Sequence, residues 1–156
     1  MTSGIRIGDF VIPRYSISGD GVCRYLTTSS MVIDRFGEKY YPDLVLGKKI
    51  ISLSKRICAL NRVNWHLAVN YSIDTIFAEF AYLEEITTMN CRVIEMETAA
   101  AFKAAKLWGI AIGAIFCVSG NVIMNKTLYF GRTQDDIIYK DEVRKKIFPE
   151  IIDALL

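Results

Sequence analysis

Apolar positions along the chain switch between two periods. Ile5, Ile7, Phe10, Val11 and Ile12 predict a strand over Gly4 to Pro13, around a Gly8-Asp9 turn or bulge and ended by Pro13. Tyr15 to Leu26 reads as a second extended stretch, broken by the turn signal Gly19-Asp20-Gly21. Thr27 to Asp43 is polar, carries Gly37 and Pro42, and reads as a surface loop. From Leu46 to Leu60 the period changes: Ile50, Ile51, Leu53, Ile57 and Leu60 share a helical face, with Lys48, Lys49, Lys55 and Arg56 outside it.

The alternation then repeats. Trp65 to Tyr71 has strand character and runs into Ser72-Ile73-Asp74, a helix-start signal. Ile76, Phe80, Leu83 and Ile86 predict a helix to about Thr87, and Val93-Ile94 marks the end of a strand. Glu95 to Trp108 reads as a helix rich in alanine, closed by Gly109 at its C-terminal cap. Ile110 to Val118 is an almost unbroken apolar run, the pattern of a central strand covered on both faces. Val143, Ile147, Ile151 and Leu155 place a last amphipathic helix over Asp135 to Leu156, with Pro149 expected to kink or split it. Strands alternating with helices make a layered α/β domain over residues 1–156, with no internal repeat or linker.

Composition narrows the function classes. Hydrophobic residues are 52% of the chain, and mean hydropathy is +0.26. No run reaches the roughly 18 residues of a membrane span. An excess of this size in a single domain implies apolar surface covered by another chain, so a homo-oligomer is expected. The net charge of +2 is too small to argue for nucleic acid, and Arg144-Lys145-Lys146 reads as a solvated helix face. Cys23, Cys58, Cys91 and Cys117 form no CxxC pair and have no histidine partners, so buried thiols in a reducing cytoplasm are expected and no metal site is. His66, the only histidine, sits in a strand pattern that favours a structural or edge role.

Glu95-Met96-Glu97 is the candidate chemical constellation. A carboxylate can accept from both hydroxyls of a vicinal diol, and methionine offers a polarizable surface. On the triplet alone, two acids complementing a helix N-terminus around a core methionine is the better reading. Its surroundings change that. Val93 to Ala101 resembles the Glu-Met-Glu segment of the purine and uridine nucleoside phosphorylase family and its related nucleosidases. Gly8-Asp9-Phe10-Val11-Ile12-Pro13 resembles the family's Gly-Asp-hydrophobic strand. Ser72-Ile73-Asp74-Thr75-Ile76-Phe77 is similar to its Ser-x-Asp-x-Phe-Tyr segment beside the base, and Gly109 to Ser119 to its strand ending in Val-Ser-Asp.

The resemblance implies a phosphorylase/hydrolase-like, three-layer α/β/α sandwich with a mixed central sheet, lacking the N-terminal strands. It implies cleavage of the N-glycosidic bond of a purine nucleoside, with phosphate as a co-substrate and no resident cofactor. The alternatives are a non-catalytic nucleoside-binding subunit and a truncated inactive chain. Met96 and Glu97 would bind ribose, with Glu95 at the pocket edge; Ile76, Phe77, Ser119 and Asn121 would meet the base. Ile76 replaces a stacking aromatic, which Phe77 partly offsets. Phe80 lies near where uridine phosphorylases place a glutamine, which counts against uridine.

Two departures bear on catalysis. The purine enzymes place an acid after Val-Ser, and here Gly120 follows Val118-Ser119. General acid help is worth about 10²–10⁴-fold in rate; Asn121 can donate a hydrogen bond but is a poor acid. The family's phosphate-gripping glycine loops and arginines precede the strand that opens this sequence, so a partner chain carrying that half is expected for a complete site. Neither Arg6 nor Arg24 substitutes for it. Asn125-Lys126-Thr127 and Gly131-Arg132-Thr133 read as a loop over the pocket mouth or as ordinary turns. The Gly19-Asp20-Gly21 turn resembles a loop near the family's active site, with a structural role slightly preferred.

Overall fold

The computed structural model describes residues 4–26, 36–127 and 129–156. Five strands and five helices alternate: β1 (Phe10–Gly19), α1 (Gly21–Tyr25), β2 (Lys39–Tyr40), α2 (Leu44–Leu60), β3 (Trp65–Ile73), α3 (Ile76–Thr88), β4 (Cys91–Glu95), α4 (Thr98–Trp108), β5 (Phe116–Cys117) and α5 (Gln134–Leu155). One mixed sheet runs β2-β1-β3-β4, with β5 also on β1. The β1–β2 and β1–β5 ladders are antiparallel, whereas β3 and β4 are parallel. This is the α/β class that the sequence pattern implies, with the mixed sheet that the resemblance implies.

Within the described residues the fold divides into two compact units. The first takes Pro13–Gly47 and Ala68–Ala114. Its core has two clusters, one around Ile17, Ile73, Ile86 and Cys91, the other around Cys23, Tyr40, Ala99 and Phe102. Gly19 ends β1 where a Cβ would lie 2.2 Å from the Tyr71 hydroxyl, so only glycine lets that ring pack. Asp20 then accepts from the Cys23 N–H at 2.8 Å and turns the chain into α1, so the extended stretch expected to Leu26 ends at Gly19. Thr27 to Arg35 of the expected surface loop lies outside the described residues.

The second unit takes Thr2–Ile12, Lys48–Leu67 and Ile115–Leu156. It buries Phe10, Val11, Ile57, Val143, Ile147 and Ile151, and Phe10 meets Phe148 edge-on at 5.4 Å. Gly8 has φ +88, and a Cβ there would lie 2.4 Å from the Tyr139 ring. The chain therefore turns at Gly8 and the first strand starts at Phe10, later than the alternation suggests. Three of the four stripe positions expected on α5 are buried. Helical structure continues through Pro149, because Ile147 and Ile151 anchor the turns on either side of the missing N–H.

Other boundaries differ from the sequence pattern as well. Helix α4 starts at Thr98 rather than Glu95. The apolar run from Ile110 yields only the two-residue strand β5.

A capping box starts α5: Thr133 accepts from the Asp136 N–H at 3.1 Å and Asp136 accepts from the Thr133 N–H at 2.9 Å. Lys126 Nζ also reaches Asp136 at 2.7 Å. The lysine hydrogen bond, followed by that from the Thr133 backbone, holds the Asp136 carboxyl down at about 2. Because the folded pKa is lowered, this contribution is present above the unfolded value, about 3.9. It is lost as pH falls towards 2. Asp136→Asn should therefore flatten the acid limb of stability between about pH 4 and 2, measured by urea unfolding at each pH.

Candidate functional site

Strands β3 and β4 are parallel and, after a register shift between Val69 and Asn70, place Ser72 beside Glu95. Their carboxyl ends are therefore side by side, the edge at which open α/β sheets bind ligands. From this edge β3 leads through Asp74 and Thr75 into α3, and β4 leads through Met96 and Glu97 into α4. Ile76, Phe77, Met96 and Glu97 are thus placed at one edge of the first unit by topology alone.

The two glutamates of the triplet have different roles. Glu95 Oε2 accepts from the Glu97 N–H (2.8 Å), the Thr98 N–H (2.7 Å) and the Thr98 hydroxyl (2.7 Å). Its Oε1 accepts from Asn70 Nδ2 at 2.6 Å and from the Ser72 hydroxyl. A carboxylate so placed neutralises the open N–H groups and positive dipole end of α4. Glu95 is turned into the fold, away from the pocket edge expected of it.

Proton counting fixes the rest of the network. Ser72 gives its only hydroxyl proton to Glu95, so it must accept from both the Ala99 N–H (2.8 Å) and Ser16 (3.0 Å). Ser16 in turn accepts from the second Asn70 N–H at 2.7 Å. Ser16, Asn70 and Ser72 are all 0% exposed, where such a fully directed network is stiff. Asn70 escaped the motif reading and Ser72 entered it only as the first residue of the segment beside the base, although polar residues two apart in an apolar strand share one face. That alternation was the available signal.

Because Glu95 caps the helix, Glu97 does not. It occupies the N-cap position without a side-chain cap bond. Its carboxylate is exposed, as are Met96 at 40% and Phe77 at 77%. Ile76 is half-buried. The edge thus offers one uncommitted carboxylate with apolar surface around it. At the neighbouring turn, the Gly21 N–H donates to both Asp74 oxygens at 3.0 Å, so Gly19-Asp20-Gly21 has a structural part in this unit.

Ser119, Gly120 and Asn121 belong to the second unit. Ser119 is exposed, and its carbonyl accepts from Arg132 at 3.4 Å. A Cβ on Gly120 would lie 3.0 Å from the Lys126 carbonyl oxygen. The Asn121 side chain is engaged at both ends: Nδ2 donates to the Ile5 carbonyl at 2.8 Å and Oδ1 accepts from the Met124 N–H at 3.1 Å. Lys126 and Thr133 take part in the α5 cap described above, which gives both loop segments a structural job.

His66 Nε2 lies 2.8 Å from Oδ2 of the fully buried Asp9, an oxygen that also accepts from the Arg6 N–H at 2.9 Å. The histidine is therefore an anchor within the second unit. Burial raises the Cys58, Cys91 and Cys117 thiols to about 11 and Cys23 to about 12. They stay protonated near neutrality and are poor nucleophiles. Among the described residues no group of histidines, cysteines or carboxylates has a metal-holding arrangement, and no helix is long and apolar enough to cross a membrane.

The phosphorylase superfamily model matches residues 1–151. The chain belongs to the phosphorylase superfamily. Solved structures agree on the fold. A putative methylthioadenosine nucleosidase from Weissella paramesenteroides is 17% identical with a TM-score of 0.68, over 99% of this chain and 62% of its own. The P. knowlesi homologue of P. falciparum PNP is 15% identical with a TM-score of 0.67, over 99% and 57%. The Toxoplasma gondii purine nucleoside phosphorylase, solved with immucillin-H, is 13% identical with a TM-score of 0.67, over 97% and 58%. The chain thus spans about three fifths of the length of these neighbours. No curated protein sequence matches it significantly.

The division between the glutamates is testable by stability. Glu95→Gln replaces one acceptor with a donor among converging donors and should cost about 2–3 kcal/mol in urea unfolding. Glu97→Gln, at an exposed position, should change stability by less than about 0.5 kcal/mol.

Proposed function

We propose that this chain grips the sugar of a purine nucleoside through Glu97 and Met96 and serves cleavage of its N-glycosidic bond in nucleoside salvage. The observation carrying this reading is the exposed Glu97 carboxylate, which among the described residues has no hydrogen-bonding or capping duty because Glu95 takes the cap. Such a carboxylate can accept from two adjacent ribose hydroxyls at once, while Met96 and Phe77 supply apolar contact to sugar and base.

In the reaction the bond from the anomeric carbon to the base nitrogen breaks, and its electron pair leaves with the base. A phosphate or water oxygen then bonds to the anomeric carbon. Positive charge grows on the sugar on the way, so a carboxylate on its hydroxyls binds the transition state more strongly than the ground state. Phosphate is the proposed co-substrate, held by a part of the fold beyond this chain's share. Phe80, an apolar side chain on α3, favours a purine over uridine. Unpaired cysteines fit a reducing cytoplasm.

Gly120 favours a second reading, in which the chain binds nucleosides without cleaving them. Glycine supplies no proton to the leaving base, and the Asn121 side chain is engaged by the Ile5 carbonyl and the Met124 N–H.

Titration calorimetry with inosine, adenosine and uridine tests the sugar site. Glu97→Ala should weaken purine nucleoside binding about 10–100-fold, the loss of one or two hydrogen bonds to a charged group. Unchanged binding in Glu97→Ala would overturn the site. Base release from the same nucleosides, with and without phosphate, separates the two readings: saturable binding without release selects the non-catalytic one.

A further inference from the structure

On α3 the positions shielded from solvent fall at helical spacing: Ile76, Glu79 and Leu83 are half-buried and Ile86 is buried. Three of these are apolar and one is a carboxylic acid. Phe80, next to that acid, is 58% exposed. The helix therefore turns a charged side chain inward and an aromatic one outward, the reverse of what the hydrophobic effect favours. Among the described residues Glu79 makes no hydrogen bond or ion pair that would offset this. Glu84 and Glu85, on the same helix, are exposed.

Glu79 lies in the first turn of α3. That turn begins where β3 ends, at the edge that also carries Met96 and Glu97. Helical side chains lean towards the helix N-terminus, so Glu79 leans back over the turn that holds Ile76 and Phe77. Ile76 is its neighbour on the helix surface, about 5–6 Å away between Cβ atoms. Burial alone pushes the Glu79 carboxyl up from its ordinary range. It prevails over the positive end of the helix dipole, which favours the charged form. Tyr71 and Asp74 at the end of β3, Cys91, Arg92 and Glu95 on β4, and Glu84 and Glu85 contribute nothing to it.

We infer that Glu79 is the acid of this site, giving its proton to a ring nitrogen of the departing base. The inference rests on the sugar grip proposed for Glu97, and it answers the lack of an acid at Gly120. As the bond from the anomeric carbon breaks, its electron pair goes to the base. The Glu79 O–H proton moves to the base nitrogen, and a phosphate or water oxygen bonds to the anomeric carbon. The Glu79 carboxylate left behind regains a proton from the attacking water or from solvent. A carboxyl that must donate a proton needs to be poorly hydrated and unpaired, because a cation or a donated hydrogen bond would hold it ionised. That requirement accounts for an inward acid without a partner.

The test compares the wild type with Glu79→Gln on inosine and on p-nitrophenyl riboside, in phosphate buffers across the range where a raised carboxyl titrates. Nitrophenolate leaves without a proton, so only inosine calls on the acid. In titration calorimetry Glu79→Gln should bind inosine as the wild type does. It should release the base about 10²–10⁴-fold more slowly, yet cleave the nitrophenyl riboside at close to the wild-type rate. An acid acts only while protonated, so the wild-type rate on inosine should fall as pH rises through the raised range of Glu79. That fall should be absent from the variant. Equal losses on both substrates, or no loss on either, overturn the inference. A wild-type chain that binds inosine without releasing base overturns it too and leaves the Glu97 grip standing. A chain that binds no nucleoside overturns the grip itself, and the inference with it. Should Glu79→Gln fail to fold, the wild-type pH profiles decide. A fall with rising pH on inosine alone supports Glu79, and parallel profiles on the two substrates overturn it.

Discussion

Five donors from two stretches of chain converge on the Glu95 carboxylate, and the arrangement of the first unit's edge follows from that convergence. The carboxylate joins β3 to β4 through Asn70 and Ser72, and it starts α4 by closing two open N–H groups. Without it, four fully or largely buried polar side chains would compete for partners in a low-dielectric interior. With it, each proton has one destination. The consequence for ligand chemistry is indirect but decisive. A helix N-terminus attracts the nearest acid, and Glu95 satisfies that demand from two residues before the cap. Glu97 is therefore released to solvent at the same edge.

Much of the fold was legible because it depends on period. The buried Ile50 and Ile57 of α2 (though not the exposed Leu60), the stripe of α5 and the glycine stop of α4 at Gly109, whose φ is 65, are local or nearly local signals. The errors fall where a distant partner decides. Gly8 turns because a Tyr139 ring occupies the space a Cβ would need. The run from Ile110 has the composition of a central strand, yet a strand is a relation between two stretches of chain, and among the described residues only Phe116 and Cys117 have a partner in the ladder. Composition reported the wish for burial correctly. It had no means of reporting whether the neighbour was present.

The site was legible in the same uneven way. The triplet could be found, and its likeness to a family could be weighed, from order and spacing along the chain. What separates Glu95 from Glu97 is not in the triplet. It lies in Asn70 and Ser72, more than twenty residues earlier, placed opposite Glu95 by the β3–β4 register. Chemically identical side chains two positions apart thus acquire opposite duties from strand pairing. Asn121 is the converse case. Its residue type suited a base contact, but its amide is consumed by Ile5 and Met124, backbone partners that no motif records.

Gly120 separates, on the proposed reading, family membership from chemical competence. On the proposed reading, the sugar grip and the leaving-group acid act at different points of the reaction. A carboxylate on the ribose hydroxyls helps to form the complex and strengthens as charge grows on the sugar. The acid acts only as the base departs, where its absence costs about 3–5 kcal/mol of barrier, the equivalent of the general acid factor. Losing the acid therefore leaves binding intact while slowing turnover, which is the route by which an enzyme fold becomes a nucleoside-binding one. Restoring it is not a matter of one substitution. A Cβ at Gly120 meets the Lys126 carbonyl at 3.0 Å, and that carbonyl is held by the Asn121 N–H in the same tight bridge. The loop leaves little room for a side chain at position 120, so the glycine is embedded in its local structure.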